Sequence, residues 1–423
     1  MARLSNLLSI PSRWRGFLAV ASCAAVGLLS SPGVAGSLSV DSRTIPGLTP
    51  KAPIVSHRLR LTGMIEASDA DRLRAELVKL RQARGANAEG PLAVLELSSK
   101  GGNLLEGIKI GYMLREFGVA TVVRREDSCL SACAMAFLGG TGRRQGNTVE
   151  PSRTLEIGGQ VGFHNFSVNV SWVLNETRSD PARGIARGFD LARAGAAQMM
   201  RYVTDMGVAP AFVAGLVALP PEQWQYVETA SDFLDLGVEP RGTWPSAGRL
   251  EVQAANICAR ALGQAVGSDP SRARRFSGKQ AQRRLLEHVR NTVAAVGLKG
   301  PLAAQLSAVL ETSDLRLIEG VYGDLRAAGL PLPSPGATHV EIAASGHDGA
   351  DLQCHVALSV GDLDAFDVVI LSERGIARVD RLPAGPVARL LRHGADDMIN
   401  QSGTRSRDVA ARPGAVGTLT NAD

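Results

Sequence analysis

Aromatic residues make up only 4% of this 423-residue chain, and long apolar runs are scarcer still. The one uncharged apolar stretch that stands out, Phe17 to Leu29, has thirteen residues, short of the roughly 20 that a helix needs to span a bilayer. A polytopic membrane protein is excluded. Lysine is rare beside arginine, and none occurs between Lys109 and Lys279, so Lys100 and Lys109 are the only upstream lysines that could activate a serine there. The formal charge of +5 is a mild excess. Its densest cluster, Arg272 to Arg284, has only Phe276 among the arginines to stack on a base. Nucleic-acid binding is not expected, and the cluster reads as a solvated helix face. Metal-ligand spacing is missing too: the Cys129/Cys133 pair is C-x3-C with no second Cys or His pair near it, so neither a metal nor another cofactor is expected.

What is present begins with an export pattern. Arg3, Arg13 and Arg15 precede the apolar stretch, and the small residues Gly33 to Gly36 follow it, which suits cleavage after Ala35. Residues 1–35 are therefore read as a signal peptide of a periplasmic or secreted protein. An uncleaved inner-membrane anchor is the alternative, and would be the chain's only tie to a membrane; lipidation at Cys23 ranks below both. Without the signal, four cysteines remain, Cys129, Cys133, Cys258 and Cys354. In an oxidising compartment an even number can form two disulfides. A separation of four residues lets Cys129 pair with Cys133, which leaves Cys258 for Cys354.

The length allows two or three domains. Residues 36–55, polar and rich in Ser, Thr, Gly and Pro, read as a linker. From His57 to Ile65 polar and apolar residues alternate as in a half-buried strand, and Leu73, Leu77 and Leu80 mark an amphipathic helix over 69–82. Leu92 to Leu97 is a strand ending in Ser98-Ser99-Lys100-Gly101-Gly102, and a helix over 104–117 and a strand over 120–124 follow. That order implies β-α-β crossovers in a mainly parallel α/β sheet, with any site at the strand ends. A strand over 167–173, a long helix over 180–206 and a short segment over 220–237 complete a domain of residues 56–240. Beyond a boundary at 241–247, residues 248–332 are helical by pattern, with one helix expected over 302–328. A small β-rich region over 336–400, part of an α+β C-terminal region, comes next, and 401–423 reads as a disordered tail.

Ser131 lies between Cys129 and Cys133 at the start of an apolar helix-like run, and His164 is the only histidine between His57 and His288. A serine hydroxyl needs a base before it becomes a useful nucleophile. A serine at that place is equally suited to cap the helix.

The glycine turn, the Cys-Leu-Ser-Ala-Cys-Ala-Met-Ala-Phe-Leu-Gly-Gly run and the later Val-Gly-Phe-His, in that order, resemble the Clp protease proteolytic subunit and its periplasmic relatives of the ClpP/crotonase fold. The resemblance covers about residues 57–240. It implies a β-α-β spiral and a serine peptidase acting on peptide or protein. Ser131 would be the nucleophile, His164 the base, and the amides of Gly102 and Ala132 the oxyanion hole. At the position of the third catalytic residue this chain has Gln225, so Asp205, Glu222 or Glu228 would have to substitute, or a dyad would have to suffice. A binding or scaffold protein that has lost the chemistry is the alternative. Coenzyme A chemistry, used by other members of the fold, does not suit an exported chain. Ring assembly is implied as well, although residues 250–400 could obstruct it.

Overall fold

The computed structural model describes residues 36–45, 54–84, 90–143, 149–165, 180–220, 222–262, 273–295, 301–312, 314–345, 351–359, 363–372, 375–378 and 385–401. The signal segment, the strand expected over 167–173 and the tail beyond Gln401 lie outside them.

Strand β1 (Ser37–Ile45) pairs antiparallel with β2 (Ile54–Thr62) along its whole length, with Ser37 opposite Thr62. Part of the expected linker, 36–55, is thus an edge strand. Its serines and threonines read as loop residues, but Leu38 packs on the core, and a half-solvated strand tolerates the polar residues between. Helix α1 (Asp69–Ala83) follows, burying Leu73, Leu77 and Leu80. Next come β3 (Ala93–Ser98), α2 (Leu104–Phe117), β4 (Val119–Val123), the short β5 (Ser128–Leu130), α3 (Ala132–Leu138) and the strands β6 (Thr141–Arg143), β7 (Val149–Pro151), β8 (Arg153–Glu156) and β9 (Gln160–His164). Helices α4 (Pro181–Asp205) and α5 (Pro210–Ala218), then β10 (Trp224–Tyr226), α6 (Ala230–Asp235) and β11 (Val238–Arg241), finish this half.

The larger sheet runs β1-β2-β3-β4-β8-β11 and is parallel from β2 onward. A second sheet, β10-β9-β5, carries the chain over the strand ends. The architecture is mixed α/β with parallel strands and covering helices.

The second half departs from the expected order of helices followed by strands. Helix α7 (Leu250–Ala261) is followed by a short strand, β12 (Arg274–Phe276), before α8 (Gly278–Ala295). The single helix expected over 302–328 is two, α9 (Pro301–Glu311) and α10 (Leu315–Ala327), because Asp314 caps the second by accepting from the Arg316 amide. Strands β13 (Thr338–Ser345), β14 (Asp351–Leu358), β15 (Phe366–Ser372) and β16 (Gly375–Arg378) form an antiparallel sheet whose edge is β12. The regions expected at 248–332 and 336–400 therefore build one α+β unit. The tail end of that unit returns to the first half. Leu390, in a 3-10 helix over Gly385–Arg392, and Ile399 both bury in the first-half core. The Asn400 side chain accepts from the Gly158 amide and donates to Gly159 O, at the turn before β9.

Candidate active site

Ser131 precedes α3 with φ 56° and ψ −120°, a conformation costly for a residue with a Cβ. Its neighbours hold it there. The Leu130 amide donates to Ser99 O and the Ser131 amide to Gly162 O, so β3 and β9 grip the turn from two sides. Helix α3 approaches closely because α2 is small where they cross: a Cβ at Gly107 would lie 2.3 Å from Ala132 O, and one at Gly139 2.3 Å from Gly111. Cys129 and Cys133, both fully buried, bracket the serine at disulfide distance, with Cα atoms 5.1 Å apart. Cys258 and Cys354 lie at 5.9 Å and join α7 to β14.

The Ser131 hydroxyl makes no capping bond to its helix. Instead Oγ sits 2.8 Å from His164 Nε2. His164 ends β9, two residues beyond the glycine whose carbonyl holds the Ser131 amide, so one strand places both members of the pair. Gly101 backs onto Ser131, and its amide is spent on Ser99 Oγ at 3.1 Å. The Gly102 amide has no hydrogen-bond acceptor among the described residues. Ala132, first residue of α3, has an amide with no acceptor inside the helix. These are the two amides that the motif order singled out.

None of the four residues weighed as a third member bonds His164. Asp205 accepts from Tyr112 Oη at 2.8 Å, and Glu222 is exposed. The carbonyl of Glu228 takes the amides of Ile399 and Asn400. Gln225 lies opposite Phe163 in the β9–β10 pairing, so its side chain leaves from the other face of the ribbon. Among the described residues, His164 Nδ1 has no hydrogen-bond partner.

No family model matches this chain, and no curated protein does. A solved structure of a ClpP1 mutant from Listeria monocytogenes is similar at 14% identity over 42% of this chain and 88% of that one, with a TM-score of 0.28. A likeness that loose carries no argument, and the mixed α/β description rests on the strand pairing itself.

What the motif order did not reveal is Trp224. It stands directly opposite His164 in the β9–β10 pairing, with ring centroids 4.3 Å apart, and stacks in turn on Tyr226. The alternation Trp-Gln-Tyr was the available signal, but three residues are too short a run to read as a strand. Gly162 is required beneath this shelf, since a Cβ there would come within 2.7 Å of the Tyr226 ring. Among the described residues no group of three or more His, Cys, Asp or Glu could hold a metal ion, and no helix is long and apolar enough to cross a membrane.

Chemically, the arrangement offers a hydroxyl in hydrogen-bond contact with an imidazole nitrogen, the Ala132 amide at the helix start beside it, and the Gly102 amide in the glycine turn that backs onto Ser131. In acyl transfer, attack by Oγ gathers negative charge on the carbonyl oxygen, where preorganised amides are most effective.

Proposed function

We propose that this chain is a serine hydrolase, a peptidase of ClpP/crotonase-like spiral architecture over residues 56–240. The 2.8 Å contact between Ser131 Oγ and His164 Nε2, made by a serine that does not cap its helix, carries the reading. As Oγ bonds to the scissile carbonyl carbon, its proton passes to Nε2. The imidazolium returns that proton to the leaving amine as the C–N bond breaks, leaving an acyl-enzyme for water to hydrolyse. The Gly102 and Ala132 amides receive the oxyanion. The substrate is a peptide or protein. Export directed by residues 1–35 is part of the proposal, supported by two buried cysteine pairs of the kind that persist in oxidising compartments.

The test is covalent labelling of the mature protein by a fluorophosphonate, in which an Oγ–P bond forms and fluoride leaves. Wild type is expected to label at one site and Ser131→Ala not at all; labelling that survives in that variant sinks the assignment. His164→Ala is expected to slow labelling about 10²- to 10⁴-fold. A second reading, a binding protein that retains the fold without the chemistry, is favoured by the lack of any described acceptor for His164 Nδ1, and wild-type protein inert to the probe would decide for it.

A further inference from the structure

We propose that Trp224 is the positioning residue for His164, holding its ring and stabilising the imidazolium that forms as the Ser131 proton arrives, a task for which no carboxylate among the described residues bonds the ring. The proposal rests on the serine-hydrolase reading of the same site. In a complete triad the third residue does two things: it fixes the orientation of the imidazole, and it stabilises the imidazolium that forms when the serine proton arrives. Asp205, Glu222, Gln225 and Glu228 do neither here.

Trp224 is placed for both. Directly paired residues on neighbouring antiparallel strands project from the same face, so the indole meets the imidazole through the β9–β10 pairing itself. The two ring centroids are 4.3 Å apart with planes at 42°, within the distance at which a cation is attracted to an indole face. Tyr226 backs the indole at 6.1 Å and 18°, and Gly162 leaves the room that Tyr226 needs. The result is a rank of three rings, Tyr226, Trp224 and His164, ending on Ser131 Oγ. A neutral imidazole gains little from the electron-rich indole, whereas an imidazolium gains more. The interaction is therefore strongest as the transition state is approached, which is the condition for accelerating the reaction.

The experiment replaces Trp224 in the mature protein, site-specifically, with tryptophans carrying one, two and three ring fluorines. Shape is nearly kept while electron density leaves the ring face step by step. The readout is the rate at which a fluorophosphonate labels Ser131. Stepwise slowing with each fluorine is expected, with Trp224→Phe between wild type and Trp224→Leu, and Trp224→Leu slowest by roughly 5- to 30-fold. Rates that stay flat across the fluorinated series overturn the electrostatic role even if Trp224→Leu is slow, because packing alone would then account for the loss. Should Trp224→Leu fail to fold, the fluorinated series still decides. Wild-type protein that does not label at Ser131 removes the hydrolase reading and this assignment with it, a result distinct from a flat series in a protein that labels.

Discussion

Holding a non-glycine residue at a sparsely populated backbone conformation costs on the order of 1–3 kcal/mol, and it persists only where the surroundings over-determine it. For Ser131 the surroundings include Gly101, itself at φ 108°. A Cβ on Gly101 would stand 2.8 Å from Ser131 Cβ and 2.9 Å from Leu130 O, neither of which is a flexible end that can swing aside. Gly101→Ala is therefore expected to abolish labelling of Ser131 and to lower the melting temperature, measured by probe incorporation and thermal unfolding on the same sample. A variant that labels at the wild-type rate would show that the turn is not built on this contact. At this scale Ser131 and His164 were legible because a hydroxyl and an imidazole carry chemistry whatever surrounds them. The partner of His164 was not. Gln225 holds the third position only through the family resemblance, and in a strand a shift of one position reverses the face. Trp224, one residue earlier, is the side chain that faces the histidine.

At the scale of elements, the reading succeeded where periodicity was long and failed where pairing decided the outcome. Helices α1, α2 and α4 were visible from apolar spacing and caps, β2 from alternation and β3 and β4 from short apolar runs, whereas β8 and β11, four residues each with Arg and Glu among them, were not read as strands. Strand β1 was hidden by its serines, and the break between α9 and α10 by apolar spacing on both sides of the polar run Glu311 to Asp314. The first is not local, since it needs β2 beside it; the second rests on the Asp314 cap. The site itself sits between two elements, β5 and α3, which the Cys129–Cys133 pair ties together across Ser131. Its brace is geometric rather than chemical. Replacing both cysteines by alanine leaves every catalytic group in place but frees the turn, and displacements of about 1 Å at a reacting centre cost on the order of 100-fold in rate. The double variant is expected to label at least tenfold more slowly than wild type while keeping its far-UV circular dichroism. An unchanged rate would show that the hydrogen bonds to Ser99 and Gly162 suffice to hold the serine.

At the scale of the whole molecule, the C-terminal half is joined to the site by its return segment, whose Asn400 grips the turn leading into the histidine strand. The same half contains a buried histidine pair whose protonation is opposed by burial. His339 and His355 are fully buried on β13 and β14 and share one hydrogen bond, Nδ1 to Nε2, at 2.8 Å. Among the described residues, their remaining ring nitrogens, His339 Nε2 and His355 Nδ1, make no hydrogen bond of normal geometry, although the backbone of Ser334 and Pro335 lies beside His339. Burial, with the neighbouring His339 adding to it, pushes His355 down to about 3, and burial lowers His339 too. In the unfolded chain both return to about 6.5. Between those values the unfolded state binds protons that the native state refuses, so the native state loses stability as pH falls below about 6.5 and none from this source above it. Each such histidine contributes a slope of up to about 1.4 kcal/mol per pH unit. Urea midpoints are accordingly expected to be level from pH 8 to 7 and to decline from pH 6.5 to 5, a window above the titration of most carboxylates. His355→Leu is expected to flatten that decline without removing it, because burial also lowers His288 and His393. Midpoints that hold steady down to pH 5 in the wild-type protein would mean that the pair accepts a proton in the native state.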